Sequence, residues 1–323
     1  MNHAPPNPRA RVPEHVKILR RIATRFLITL PAIWLILTMV FLLVHIVPGD
    51  PVQQMLGEDA RAEDLQQLRH ALGLDLPLHT QYWHYLSHLL RGDWGRSFHF
   101  GAPVLALILN RYPATLELAF AAMLACALIA IPAGVMAAQR RGHAADRAIG
   151  FFTLLGLSVP NFALGPVLIL VFSIELGWLP ISGRGGFAHF VLPAVTLGAA
   201  LAAILTRMVR SSMIEELGSD YVRTARAKGL PERRVLFRHA FPNALVPIVT
   251  ILGLQFGTLL AGTIVTESIF SWPGIGRLTV QAIQQRDYPL LQGCILLIAL
   301  SYVIVNLLTD ALYTLIDPRI RVS

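Results

Sequence analysis

The sequence predicts an all-α, polytopic membrane protein with six transmembrane helices, and three observations carry that expectation. Hydrophobic residues make up 54% of the 323-residue chain and charged residues only 14%. A soluble domain carries roughly 25% charged residues, so this chain has too few to cover a water-facing surface. Mean hydropathy is +0.58, more apolar area than one soluble core of this length can hide. The apolar runs are apolar on all sides and lack the alternation of membrane strands, which selects helices over an outer-membrane barrel. Disorder, collagen, coiled coil and a disulfide-stapled module are excluded. The two cysteines, Cys126 and Cys294, both fall inside apolar runs.

The predicted spans cover 26–47, 113–138, 148–176, 190–206, 244–266 and 288–309. Only the second and third hold a formal charge, Glu117 and Glu175 respectively. About 20 apolar residues cross a hydrocarbon core of roughly 30 Å, so each run is long enough. The first run exceeds a typical signal-peptide core, and Pro48-Gly49-Asp50-Pro51 after it is no small-residue cleavage site, so it reads as a retained span.

Orientation follows from the basic residues. The tail 1–25, the loop holding Arg140, Arg141 and Arg147, the segment 207–243 and the tail 317–323 together hold well over half of the 27 Lys and Arg. By the positive-inside rule both termini are cytoplasmic and 48–112 forms a large periplasmic loop. Arginines beside spans hold topology and touch anionic lipid, so the net charge of +8 needs no nucleic acid to explain it.

Two connections are long enough to act. In the outer loop, 61–72 places Leu65, Leu68 and Leu72 on one helical face and Gly73 supplies a stop. Tyr82, Trp83, Tyr85, Trp94, Phe98 and Phe100 follow at headgroup-like spacing. The loop is either a pair of interfacial helices roofing the bundle or a docking surface, and both readings stand. His84 and His88 share a helical face, yet no Cys accompanies them and no His in the chain precedes Glu, so no metal site is expected.

The inner segment 207–243 reads as an elbow. Asp220 is its N-cap, 221–228 a short helix and Gly229 the stop. Pro231 starts a second helix that Pro242 ends. A helix-turn-helix tethered between spans suits a lever better than a DNA reader. Arg223, Arg226, Arg233, Arg234 and Arg238 keep it solvated or meet an acidic partner.

No catalytic residues are predicted and no cofactor is expected. Lys17 and Lys228 are the only lysines and neither follows Gly, so no phosphate-binding Gly-Lys loop exists. Gly274-Ile275-Gly276-Arg277-Leu278-Thr279 fails the dinucleotide fingerprint. If nucleotide energy drives this chain, another chain binds the nucleotide. Glu117, Glu175 and Glu267 fall near the outer span ends and Asp310 near an inner one. Ionisable groups at such depth mark a path or an interface. Glu117, Asn161 and Glu267 are the candidate translocation-path residues, and carboxylates sharing an outer mouth would favour cationic groups. Pro160 and Pro166 interrupt the third span. Gly253, Gly257 and Gly262 make a small-residue face in the fifth, for packing or for gating.

Asp220-Tyr221-Val222-Arg223-Thr224-Ala225-Arg226-Ala227-Lys228-Gly229, then Arg238-His239-Ala240 and Asn243-Ala244-Leu245-Val246-Pro247, closely resemble the coupling loop of ABC importer permeases of the dipeptide, oligopeptide and nickel class. Gly92-Asp93-Trp94-Gly95, Pro113-Ala114-Thr115-Leu116-Glu117, Gly177-Trp178-Leu179-Pro180, Phe270-Ser271-Trp272-Pro273-Gly274, Arg286-Asp287-Tyr288-Pro289 and Asp317-Pro318-Arg319 extend the resemblance over nearly the whole chain. The wider superfamily opens this loop with Glu-Ala-Ala. Here Arg223, Thr224 and Ala225 stand there, so the acid's ion pair does not carry over, whereas Gly229 does. The resemblance implies a bacterial inner-membrane permease core at 113–316, a second homologous permease, two cytoplasmic ATPases and a periplasmic or lipid-anchored solute-binding protein. It implies that Asp220, Tyr221, Arg223, Thr224, Ala225, Arg226, Ala227, Lys228 and Gly229 couple to the ATPases. Dipeptides, oligopeptides, glutathione and nickel are all cargoes of the class. The rival from another class is a proton-coupled symporter using Glu117, Glu267 and Asp310.

Overall fold

A computed structural model describes residues 14–46, 51–56, 60–71 and 73–316. The motifs Pro48-Gly49-Asp50 and Asp317-Pro318-Arg319, Arg9, Arg11, Arg321, Leu72 and the side chains of Arg20, Arg21, Arg25 and Asp310 lie outside the described residues. Among those described the chain is helical with no strand. In order it forms α1 (Glu14–Ile46), α2 (Pro51–Leu56), α3 (Ala62–Ala71), α4 (Leu78–Leu90), α5 (Val104–Gln139), α6 (Ala144–Ser158) and α7 (Asn161–Leu168), extended by a wide π-helical stretch, Ile169–Glu175. Then come α8 (Ala188–Leu217), α9 (Asp220–Ala227) and α10 (Glu232–Arg234), which a second π-helical stretch, Val235–Ala240, joins to α11 (Phe241–Ile269), followed by α12 (Ile275–Gln284) and α13 (Tyr288–Ile316).

Among the described residues four helices are long and apolar enough to cross a membrane: Val104–Gln139, Ala188–Leu217, Glu232–Ile269 and Tyr288–Thr309. The apolar part of α1, Leu27–Leu42, is shorter. The third predicted span is not a straight rod. Its halves α6 and α7 meet at 105° and count as a fifth span only if taken together. The physical cause is Pro160, which lacks an amide hydrogen and forces Val159 into the extended region at φ −91°, ψ 115°.

Four further expectations are corrected. Pro242 does not end the second arm of the elbow. The wide turn before it absorbs its missing donor, so Glu232–Ile269 runs as one 38-residue helix. At 1.5 Å per residue that rod is about 57 Å long, well beyond a bilayer core of about 30 Å. Ser219, not Asp220, is the residue before the first turn of α9, and Asp220 sits inside it. Pro231 likewise precedes its helix, which starts at Glu232. The spans also overrun their apolar cores, α5 starting nine residues before Pro113 and α8 continuing past Arg207 and Arg210 to Leu217. Hydropathy marks membrane depth, whereas straight-chain residues such as Arg propagate a helix in water equally well.

Helices α5 and α8 form the central pair, and glycine permits their approach. A Cβ on Gly198 would stand 2.7 Å from the Ala122 carbonyl oxygen, and one on Gly134 would stand 2.6 Å from Val209. The Gly253/Gly257 face of α11 packs on α13 of the same chain, against Thr309 and Tyr302, while Gly262 has only ordinary clearance from Leu197. Three apolar clusters stack along the bundle. One, at the elbow end, includes Val135, Val209, Met213, Val222, Val235 and Leu236. The middle one is built on Leu118, Leu197, Leu259 and Trp272, and the third, at the opposite end, on Ile108, Ile275, Leu278 and Leu290.

Candidate functional site

The elbow is built from its sequence inward. Hydrophobic Val222 and Ala225, three residues apart, fall on one face of α9 and are buried at 0% and 6% exposure. They join the apolar cluster at the ends of α5, α8 and α11. Burying a valine side chain contributes roughly 1.5–3 kcal/mol, enough to seat so short a helix. The opposite face, with Arg223, Thr224, Ala227, Lys228 and Gly229, is exposed. Of the residues expected to meet a partner, Ala225 therefore faces the core instead.

The stop works as the sequence expects. Gly229 has φ +75°, its amide donates to the Arg226 carbonyl at 2.9 Å, and the Leu230 amide reaches the Ala225 carbonyl at 3.4 Å. That pair of bonds is the left-handed glycine cap, and Leu230 packs on the apolar cluster beneath it.

Two polar braces fix the angle. Arg226 donates from Nε and Nη2 to the two oxygens of Glu232, at 3.1 and 2.7 Å, and from Nη1 to the Leu217 carbonyl at 3.4 Å. It ties the end of α9 to α10 across the glycine. Tyr221 Oη donates to the Glu216 carboxylate in the last turn of α8 and accepts from Asn243 Nδ2 at 2.9 Å in the first turn of α11. Burial, and secondly the Glu216 hydrogen bond, raise the Tyr221 phenol above its ordinary pKa, so it stays protonated and keeps donating. Arg223 meets only Asp220, at 3.3 Å with both side chains mostly exposed, an ion pair of little strength. Thr224 returns its hydroxyl to the Asp220 carbonyl at 2.9 Å. Thus Tyr221 and Arg226, expected to face a partner, stay exposed while their polar atoms are engaged in braces within the elbow. Their partners Glu216 and Glu232 were not singled out in the sequence, and Asn243 only as part of the motif that opens α11. Arg226 and Glu232 stand three residues on either side of Gly229, a symmetry that signals a brace across a turn. One more tie lies nearby: Asp146 of α6 accepts from Arg210 of α8 at 2.6 and 2.9 Å and from the Gly142 amide at 2.9 Å.

At the other end of the bundle the acids are separated. Glu267 is fully buried. It accepts from Thr115 Oγ1 at 2.7 Å and from the Arg277 amide at 2.9 Å, and Thr115 in turn accepts from the Ile275 amide at 2.8 Å. The carboxylate thereby satisfies the free donors at the start of α12, against which glycine at 274 and 276 lets it lie. Glu117 is half-buried, both oxygens held by Arg184 at 3.0 and 2.6 Å. Glu175 is exposed at the end of the π-helical stretch, and Asn161 is half-buried at the 105° break. The ring centroids of His84 and His88 lie 6.4 Å apart, and His88 Nδ1 is 3.2 Å from Asp93. Among the described residues no group of three or more metal-ligating side chains converges. On α4, Tyr82 bonds Thr38 at 2.8 Å and, with Tyr85, packs on Phe41, so this helix lies across the end of α1.

Family comparison decides what this bundle belongs to. Residues 130–322 match the family described as binding-protein-dependent transport system inner membrane component, and residues 17–119 match its N-terminal family. The chain belongs to the binding-protein-dependent transport system inner membrane components. It is a multi-pass inner-membrane permease of the ABC importer type. It is 44% identical over 304 residues to the glutathione transport system permease protein GsiC of Escherichia coli strain K12, covering 94% of this chain and 99% of the relative. The protein of the same name from Salmonella typhi is 43% identical over the same length. Two inward-facing structures of the MetNI methionine ABC transporter share the fold at TM-scores of 0.57 and 0.56, with 17% and 18% identity, over 66% and 65% of this chain and 97% and 96% of theirs.

Proposed function

We propose that this permease pairs with a second, related permease to form an ATP-driven import path for small peptides of the glutathione type, and that the elbow is where it receives work from a cytoplasmic ATPase. The observation that carries the reading is the elbow itself: a glycine-stopped α9 whose buried face is fused to the ends of α5, α8 and α11, while its basic face stands free. The uneven distribution of arginine supports an N-in, C-in arrangement of six spans, with 26–47 as the first and the bent α6–α7 pair as the third. The elbow then lies inside, and α3 and α4 lie outside, where a solute-binding protein docks.

ATP binding by two ATPases draws them together and displaces both elbows, and the path turns from inward-open to outward-open. The loaded binding protein must favour the outward-open state over the inward-open one, or the cycle transfers no free energy to the cargo. Asp220, Arg223, Thr224, Ala227 and Lys228 offer the contact surface. Asn161 is the path residue, because a broken membrane helix is tolerated only within protein or along a water-lined cavity. Glu117 and Glu267 serve the path indirectly by fixing its wall through Arg184 and α12.

The test is reconstitution with the second permease, both ATPases and the binding protein in proteoliposomes, measuring labelled glutathione. Uptake that needs ATP and all partners supports the reading. Uptake by this chain alone under a proton gradient replaces it with a symporter.

A further inference from the structure

We infer that Tyr221 is the positioning residue of the elbow, whose hydroxyl joins the last turn of α8 to the first turn of α11 so that a push on α9 moves both spans together. The inference rests on the elbow reading above and concerns which residue makes the lever stiff. A phenol has one proton and two lone pairs. Here the proton goes to the Glu216 carboxylate, and a lone pair receives the Asn243 amide at 2.9 Å. The Asn243 amide also reaches the His239 carbonyl at 3.3 Å, and the phenol lies 3.3 Å from that same carbonyl. Three elements, α8, α9 and the α10–α11 rod, therefore meet at one oxygen.

Among the described residues Arg226 also reaches both α8 and the rod, but less evenly. Arg226 binds α9 to α10 through Glu232, but its reach to α8 is a single 3.4 Å bond to the Leu217 carbonyl. Val222 and Ala225 hold α9 by apolar burial, which is non-directional and lets helices slide. Directional hydrogen bonds with a charged acceptor resist sliding. Tyr221 is 40% exposed and Asn243 lies at the surface, so water competes for the same atoms and the link is a latch rather than a weld.

The experiment uses the assembled transporter in proteoliposomes, with glutathione uptake and ATP hydrolysis measured on the same vesicles. Tyr221→Phe keeps the ring and removes the oxygen. Uptake per ATP hydrolysed should fall about tenfold, the factor one charge-assisted hydrogen bond represents, with hydrolysis nearly unchanged. Asn243→Ala should act in the same direction, and the Tyr221→Phe/Asn243→Ala double variant should be no worse than either single one. Glu216→Gln keeps an acceptor and should retain most of the coupling. Amide exchange across 212–245 should accelerate in Tyr221→Phe, a readout independent of transport. An unchanged uptake-to-hydrolysis ratio in Tyr221→Phe overturns the inference while leaving the elbow reading in place, as does a proportional loss of both activities. Absence of ATP-driven uptake in the wild-type assembly removes the elbow reading itself.

Discussion

Replacing Gly229 tests the lever at the point where conformation and contact can be separated. The glycine stands at φ +75°, and a Cβ built on it meets nothing within 4 Å. Any cost of substitution is therefore backbone strain and not a clash. An ordinary residue pays roughly 1–2 kcal/mol in the left-handed region, a β-branched one more, and asparagine least. Since Val222, Ala225 and Leu230 stay in the apolar cluster, the bundle keeps its core and the strain is relieved by reopening the angle between α9 and α10. Uptake should then decline in the order Gly, Asn, Ala, Val, with Gly229→Val losing about tenfold or more at unchanged membrane abundance. The assay is ATP-driven uptake in proteoliposomes normalised to inserted protein. Wild-type uptake by Gly229→Val, or an equal loss in Gly229→Asn and Gly229→Val, would refute the idea that a left-handed stop sets the working angle.

Other predictions concern the frame. Glu267→Ala strands the Thr115 hydroxyl and the first amides of α12 in a buried site, and should lower stability by on the order of 3 kcal/mol, read by thermal unfolding in detergent. Gly198→Val drives a side chain into the Ala122 backbone and should cost about 3 kcal/mol or prevent assembly, whereas Gly262→Ala, with 3.6 Å to Leu197, should be tolerated; expression and unfolding temperature compare the two. Removing Glu117, Arg184 or both should change stability by less than about 1 kcal/mol, because each side chain is 41% exposed.

The parts legible in the sequence are those set by local chemistry. Gly229 announces its own conformation, Pro231 its place beside a helix start, and the apolar runs their depth. Pro160 announced an interruption but not 105°, since the angle depends on what the two halves pack against, such as Gly165 on Ile269 and Phe270. Pro242 reads locally as a stop, but a wide helical turn absorbs it. Helix α12 is too short and mixed to resemble a span. The buried role of Glu267 depends on Thr115, 152 residues away, and that of Glu117 on Arg184, 67 residues away. A sequence shows an acid near a span end but not the partner that claims it. Tyr221 and Arg226 carried the resemblance to a coupling loop, yet the partners that engage them within the elbow follow from packing that no local pattern encodes.

The most direct measurement is crosslinking from the exposed face of α9. Cys126 and Cys294 are buried, so Ala227→Cys supplies the accessible thiol on the elbow. In the assembled transporter it should form an adduct with a cytoplasmic ATPase subunit, and the yield should change when ATP binds. An adduct with the external binding protein, or none with any ATPase in either nucleotide state, would contradict the account.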